Sequence, residues 1–92
     1  MQISEEKIKK IKEEILSILF YSSPNALFTS FIARELARDE EFTKKLLLDL
    51  ESHSLIAAVR KSPKGKDYNR RFRWRLTERT YNAYKEVGGK HL

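Results

Sequence analysis

The residues most able to do chemistry lie in one stretch, Arg60 to Leu76, RKSPKGKDYNRRFRWRL. Eight of them are cationic (Arg60, Lys61, Lys64, Lys66, Arg70, Arg71, Arg73 and Arg75) and one, Asp67, is acidic. The stretch therefore carries +7, whereas the whole chain of 92 residues carries +6, so everything outside it sums to −1. Cations packed this densely repel one another unless an anion is the partner. A basic stripe of this kind fits nucleic-acid phosphate. The last residues alternate, with Arg71, Arg73 and Arg75 on one side and Phe72, Trp74 and Leu76 on the other. That is the period of a half-buried strand, apolar inward and guanidinium outward.

Other reactive groupings are poor. The chain has no cysteine, which excludes disulfides, thiolate metal sites and a cysteine nucleophile and fits a reducing, cytoplasmic setting. His53 and His91 have no ligand-like neighbours, so no metal site is expected. Ser52 and Ser54 flank His53, but nothing supplies a third group or an oxyanion site. The paired carboxylates Glu5-Glu6, Glu13-Glu14 and Glu40-Glu41 alternate with lysines and read as solvated helix faces. Glycines are too sparse for a phosphate-binding loop. No enzymatic activity and no cofactor are expected. No apolar run approaches ~18 residues, and MQISEEKIKK is not a signal peptide.

The elements that must position the basic stretch can be read in order. Ser4 caps a first helix over 4–21, with Glu5 and Glu6 at its positive dipole end and Ile3 and Ile8 at hydrophobic-staple spacing. Ile8, Ile11, Ile15 and Ile18 recur at three and four, with Leu19 widening the stripe. This stripe packs either into the core or into a dimer seam. Residues 25–28 allow a brief strand. Thr29 is the expected cap of a helix from Ser30 to Arg38, with Ile32, Ala33 and Leu36 inward. Asp39 caps a third helix, with Phe42 or Thr43, then Leu46, Leu47 and Leu50 inward and Leu48 outward. Leu55 to Val59 opens a hairpin that closes at Leu76, its turn in SPKGKDYN. Thr77 caps a last helix over 77–87, in which Tyr81, Tyr84 and Val87 share a face, and Gly88-Gly89 ends it. The fold class is thus α+β, mostly helical: helix, short strand, two helices joined by a tight turn over 29–53, a two-stranded wing over 55–76, and a helix, all in one domain over 1–92.

At this point the chain resembles the winged helix-turn-helix superfamily of small bacterial and archaeal transcriptional regulators. The stretch IARELARDEEFTKKLLLDLESHSLI, Ile32 to Ile56, is similar to the family's helix-turn-helix without a gap. Ile32-Ala33 matches its usual Leu/Ile-Ala pair, and Asp39 stands where Ser or Thr caps the recognition helix. Leu50-Glu51 with Leu55-Ile56 matches "Leu-Glu-x-x-Gly-Leu-Ile", and Trp74-Arg75-Leu76-Thr77-Glu78 matches "Tyr-x-Leu-Thr-Glu". Ala37-Arg38 departs from the common Gly-Val of the inter-helix turn, which allows a different turn geometry there, and Ser54 stands in place of the usual Gly before Leu-Ile. Glu40 and Glu41 stand where relatives carry Arg, Ser, Gln or Thr.

The resemblance implies binding to double-stranded DNA as a homodimer. The third helix would enter the major groove, with Lys44, Lys45 and Glu41 at base edges or flanking phosphates. Leu48 would meet a thymine methyl or a protein partner. In the wing, Lys64, Lys66, Arg70 and Arg71 would hold the backbone or enter the minor groove, and Tyr68 would touch a sugar or base. Arg73 and Arg75 would either join them or cover the acidic helices. The other use of such a fold is as a protein-interaction module in a transcription, replication or membrane-remodelling assembly, which Glu40, Glu41 and Leu48 favour.

Overall fold

The computed structural model describes residues 3–59 and 72–87. The wing tip, with Lys64, Lys66, Tyr68, Arg70 and Arg71, and the tail with His91 lie outside the described residues.

Helix α1 runs Glu5–Ser22, with Ser4 accepting from the Lys7 amide at 3.2 Å. Its apolar stripe is the core's first wall: Ile11, Ile15, Leu16 and Leu19 are buried. Ile11 and Ile15 thus pack within the protomer core, whereas Ile8 and Ile18 are half-buried. Strand β1 is only Leu27–Phe28, and α2 follows at once as Thr29–Leu36. Helix α3 spans Glu40–Ser52, with Asp39 accepting from the Phe42 amide at 3.1 Å. Thr43 rather than Phe42 is the fully buried residue of its first turns, its hydroxyl donating to the Asp39 carbonyl at 2.8 Å. Leu46, Leu47 and Leu50 complete the buried face.

Strands β2 (Ile56–Val59) and β3 (Arg73–Leu76) pair antiparallel, and β1 pairs with the other edge of β3, giving the order β1-β3-β2. Ile56 lies opposite Leu76, and Ala58 and Leu27 lie opposite Trp74. These residues face the helices, and Trp74 is 0% exposed. Leu55 stays outside the strand, its carbonyl accepting from the Thr77 amide at 3.2 Å. Helix α4 (Glu78–Glu86) starts at Thr77, whose hydroxyl accepts from the Thr80 amide at 3.3 Å and lies 3.0 Å from the Ser54 carbonyl, to which it can donate.

Several expectations need correction. Thr29 does not cap α2. Phe28 occupies the cap position without a side-chain hydrogen bond, because the Thr29 hydroxyl turns inward to accept from the Trp74 indole N–H at 2.8 Å. The helix also stops at Leu36, short of Arg38. Ala37 adopts the left-handed conformation (φ 56°), the Ala37 amide donates to Arg34 and the Arg38 amide to Ala33. The same closure ends α3. Ser54 has φ 62°, its amide donates to Glu51, and the Leu55 amide donates to Leu50. Both are Schellman closures, which usually place Gly at the left-handed residue. Ala37 and Ser54 thus take, without glycine, the left-handed conformation that such closures require. Val87, expected on one face with Tyr81 and Tyr84, is exposed. The Tyr81 and Tyr84 rings pack on Phe20 of α1, at 5.3 and 5.6 Å between centroids. Burial, and to a smaller extent Glu13, raises the Tyr84 phenol above its ordinary value.

Candidate nucleic-acid interface

Helix α3 presents its outer face because its inner one is fixed by Thr43, Leu46, Leu47 and Leu50. Glu41, Lys45 and Leu48 recur at four and three, so they form one stripe. All three are exposed, Leu48 at 39%. Lys44 is placed differently. It is half-buried, and its ammonium lies 5.1 Å from the centroid of the Phe72 ring. That cation–π contact, worth about 0.5–1 kcal/mol where exposed, ties α3 to the root of the wing. Phe72 in turn meets Trp74 edge-on at 5.9 Å. Of the residues expected at a DNA surface, the structure thus brings Glu41, Lys45 and Leu48 together and sets Lys44 aside.

The described part of the hairpin ends where Val59 pairs with Arg73. Residues 60–71, between β2 and β3 in sequence, carry six cations and one anion. Arg73 and Arg75 do not cover the acidic helices. They point to the outer face of the sheet, whereas the helices pack on the inner face. Arg73 lies over Phe28, at 5.8 Å from the guanidinium carbon to the ring centroid. Arg75, Arg34 and Arg38 are exposed.

Sequence reading missed the bond that joins α1 to α3. Lys12 donates to the Asp49 carboxylate, and no local pattern announces a pair 37 residues apart. This hydrogen bond, with the Lys12 charge and the nearby His53 ring, holds the Asp49 carboxyl below its ordinary value despite some desolvation. His53 is exposed, and its Nδ1 lies 2.9 Å from the Asp49 carbonyl and 3.8 Å from its carboxylate. Among the described residues no three His, Asp or Glu side chains gather as a metal site. No helix among them is long and apolar enough to cross a membrane.

This arrangement of three helices, a three-stranded sheet with a wing, and a last helix is the winged helix-turn-helix fold. Solved structures share it. A Lactococcus lactis ZitR double mutant in apo form superposes with a TM-score of 0.70 at 24% identity over 94% of this chain, which covers 60% of that one. The Staphylococcus aureus MepR–DNA complex gives 0.69 at 21% identity, covering 94% of this chain and 70% of that one. AF1382 from Archaeoglobus fulgidus gives 0.67 at 17% identity, covering 88% and 84%. ZitR is described as a zinc-responsive MarR family member, and this chain spans a little over half of that structure's chain. No protein-family model matches the sequence, and no curated protein sequence matches it.

Proposed function

We propose that the chain is one winged-helix domain over residues 1–92 that binds double-stranded DNA, as a small transcriptional regulator and not an enzyme. The observation that supports this reading is the exposed outer stripe of α3, in a chain whose residues 60–76 carry a net +7 against +6 for the whole. MepR, which shares the fold, is seen in complex with DNA. In this reading Glu41, Lys45 and Leu48 face the major groove. Lys44 braces the wing root and reaches a flanking phosphate only by leaving Phe72. Lys64, Lys66, Arg70 and Arg71 hold the backbone, with Tyr68 at a sugar or base. The protein works in the cytoplasm as a homodimer, without metal, cofactor or membrane. The aromatic end formed by Phe20, Tyr21, Tyr81 and Tyr84 supplies the contact, since Tyr21 is exposed there.

The test is fluorescence anisotropy with random and selected duplexes between low and physiological salt. Log K should fall with log salt by about 0.9 per phosphate contact. Lys64→Ala with Lys66→Ala should weaken all duplexes alike and flatten the slope by about one per lost contact. Absence of duplex binding at low salt would overturn the reading. It would promote the alternative, a protein-interaction module, which the exposed acidic start of α3 (Asp39, Glu40, Glu41) and exposed Leu48 support.

A further inference from the structure

The sheet has an outer face that the duplex reading leaves unused. Register places Phe28 and Val59 on either side of Arg73, and Ala57 opposite Arg75. Side chains alternate along a strand, so these five residues share the face turned away from Trp74 and Leu76. Phe28 is 40% exposed and lies outside the core, with the Arg73 guanidinium 5.8 Å from its ring centroid. Val59 and Ala57 are half-buried and Arg75 is exposed. The five strand positions include no carboxylate, and among the described residues neither Arg73 nor Arg75 forms an ion pair.

We propose that this face binds an unpaired nucleic-acid strand, with a base stacked on Phe28 in place of the Arg73 guanidinium, which moves to a phosphate beside the one held by Arg75. Two exposed or half-exposed guanidiniums without acids call for an anionic occupant. The flat ring beside them decides which one. An acidic peptide matches the cations but has no planar group for Phe28. A single strand offers a π-face and a phosphate in every nucleotide. A duplex keeps its bases stacked inside and cannot present them to the ring. The site is separate from the α3 stripe, and the proposal does not depend on duplex binding.

The probe is a fluorescein-labelled 12-nucleotide oligothymidine, titrated alongside a duplex of equal length. The wild-type protein should bind the oligothymidine. Phe28→Ala should weaken that binding about 5- to 150-fold, the range for loss of one base–aromatic stack, and Phe28→Trp should retain it. Duplex affinity should not change in either variant, so failure here is distinguishable from failure of the duplex reading. Arg73→Gln with Arg75→Gln provides a second measure, since loss of two phosphate contacts should flatten the salt slope by about 0.7 each. No oligothymidine binding by wild type, or full-strength binding by a folded Phe28→Ala protein, would overturn the proposal. So would a hexaglutamate peptide that displaces the oligothymidine and itself loses affinity with Phe28→Ala, which would assign the face to an acidic peptide.

Discussion

The Trp74 indole N–H donates to the Thr29 hydroxyl across 45 positions of sequence, and both residues are buried, at 0% and 7% exposure. This bond fixes the start of α2 to the middle strand of the sheet, and so sets where the helix-turn-helix stands relative to the wing. Thr29→Val keeps the shape but leaves a buried donor without a partner, at a cost of about 1–3 kcal/mol. For a domain of this size that lowers Tm by about 4–8 °C per kcal/mol. Thr29→Ser retains the acceptor and should lose much less. Thermal unfolding followed by circular dichroism distinguishes the two, and equal losses would show that the methyl group, not the hydrogen bond, matters at this position.

Ala37 and Ser54 sit at φ 56° and 62°, where a side chain costs about 1–2 kcal/mol relative to glycine. Glycine in turn adds freedom to the unfolded chain, costing roughly 0.4–1 kcal/mol. Ala37→Gly and Ser54→Gly should therefore each stabilise by about 0–1.6 kcal/mol, and Ala37→Val should destabilise. Urea unfolding midpoints at constant m-value measure this. A loss of stability on introducing glycine at both sites would mean that the left-handed geometry is not held in solution.

Features with short range were legible in the sequence. Ser4, Asp39 and Thr77 act on amides three residues away, so their capping role follows from local order. The alternation through Trp74 and Leu76 and the spacing of Ile11, Ile15 and Leu19 reveal which faces are inward for the same reason. Thr29 was misread because a threonine before a helix is a good cap in isolation, and its competing partner lies on a distant strand. The Lys12–Asp49 bond and the Phe28–Arg73 stack were hidden likewise. The positive φ at Ala37 and Ser54 was not legible, because neither residue type signals it. Of the candidate site, the α3 stripe was legible from helix phase, but the diversion of Lys44 to Phe72 was not, since it depends on where the wing root lies.

The Asp49 carboxyl is held below its ordinary 3.8, first by the hydrogen bond from Lys12. Because the folded-state value is depressed, the stability this bond contributes is present above the ordinary carboxylate range. It is lost as pH falls through the folded-state value. Lys12→Met should return the Asp49 titration, read from its carboxyl carbon by NMR, toward the ordinary value. The variant should also unfold less steeply with acid, and high salt should shrink the difference because the pair is partly exposed. An unchanged Asp49 titration would show that the two side chains do not pair in solution.

Leu48 is 39% exposed on the outer stripe of α3, next to Lys45 and opposite buried Leu46, Leu47 and Leu50. Leu48→Lys exchanges exposed apolar surface for charge, so Tm should stay within the small range typical of surface changes, roughly ±0.5 kcal/mol in stability. Its effect on binding depends on what faces that stripe. If α3 lies against DNA, the new ammonium meets a phosphate, tightens binding at low salt and steepens the slope of log K against log salt by about 0.9. The same net-charge change of +1 made at exposed Glu14 of α1, as Glu14→Gln, controls for net charge alone. A steeper slope for Leu48→Lys but not for Glu14→Gln would place the duplex on α3. Equal effects would mean that DNA senses only the overall charge, and a Leu48→Lys protein of unchanged stability that no longer binds a protein partner would move the stripe to the interaction-module reading.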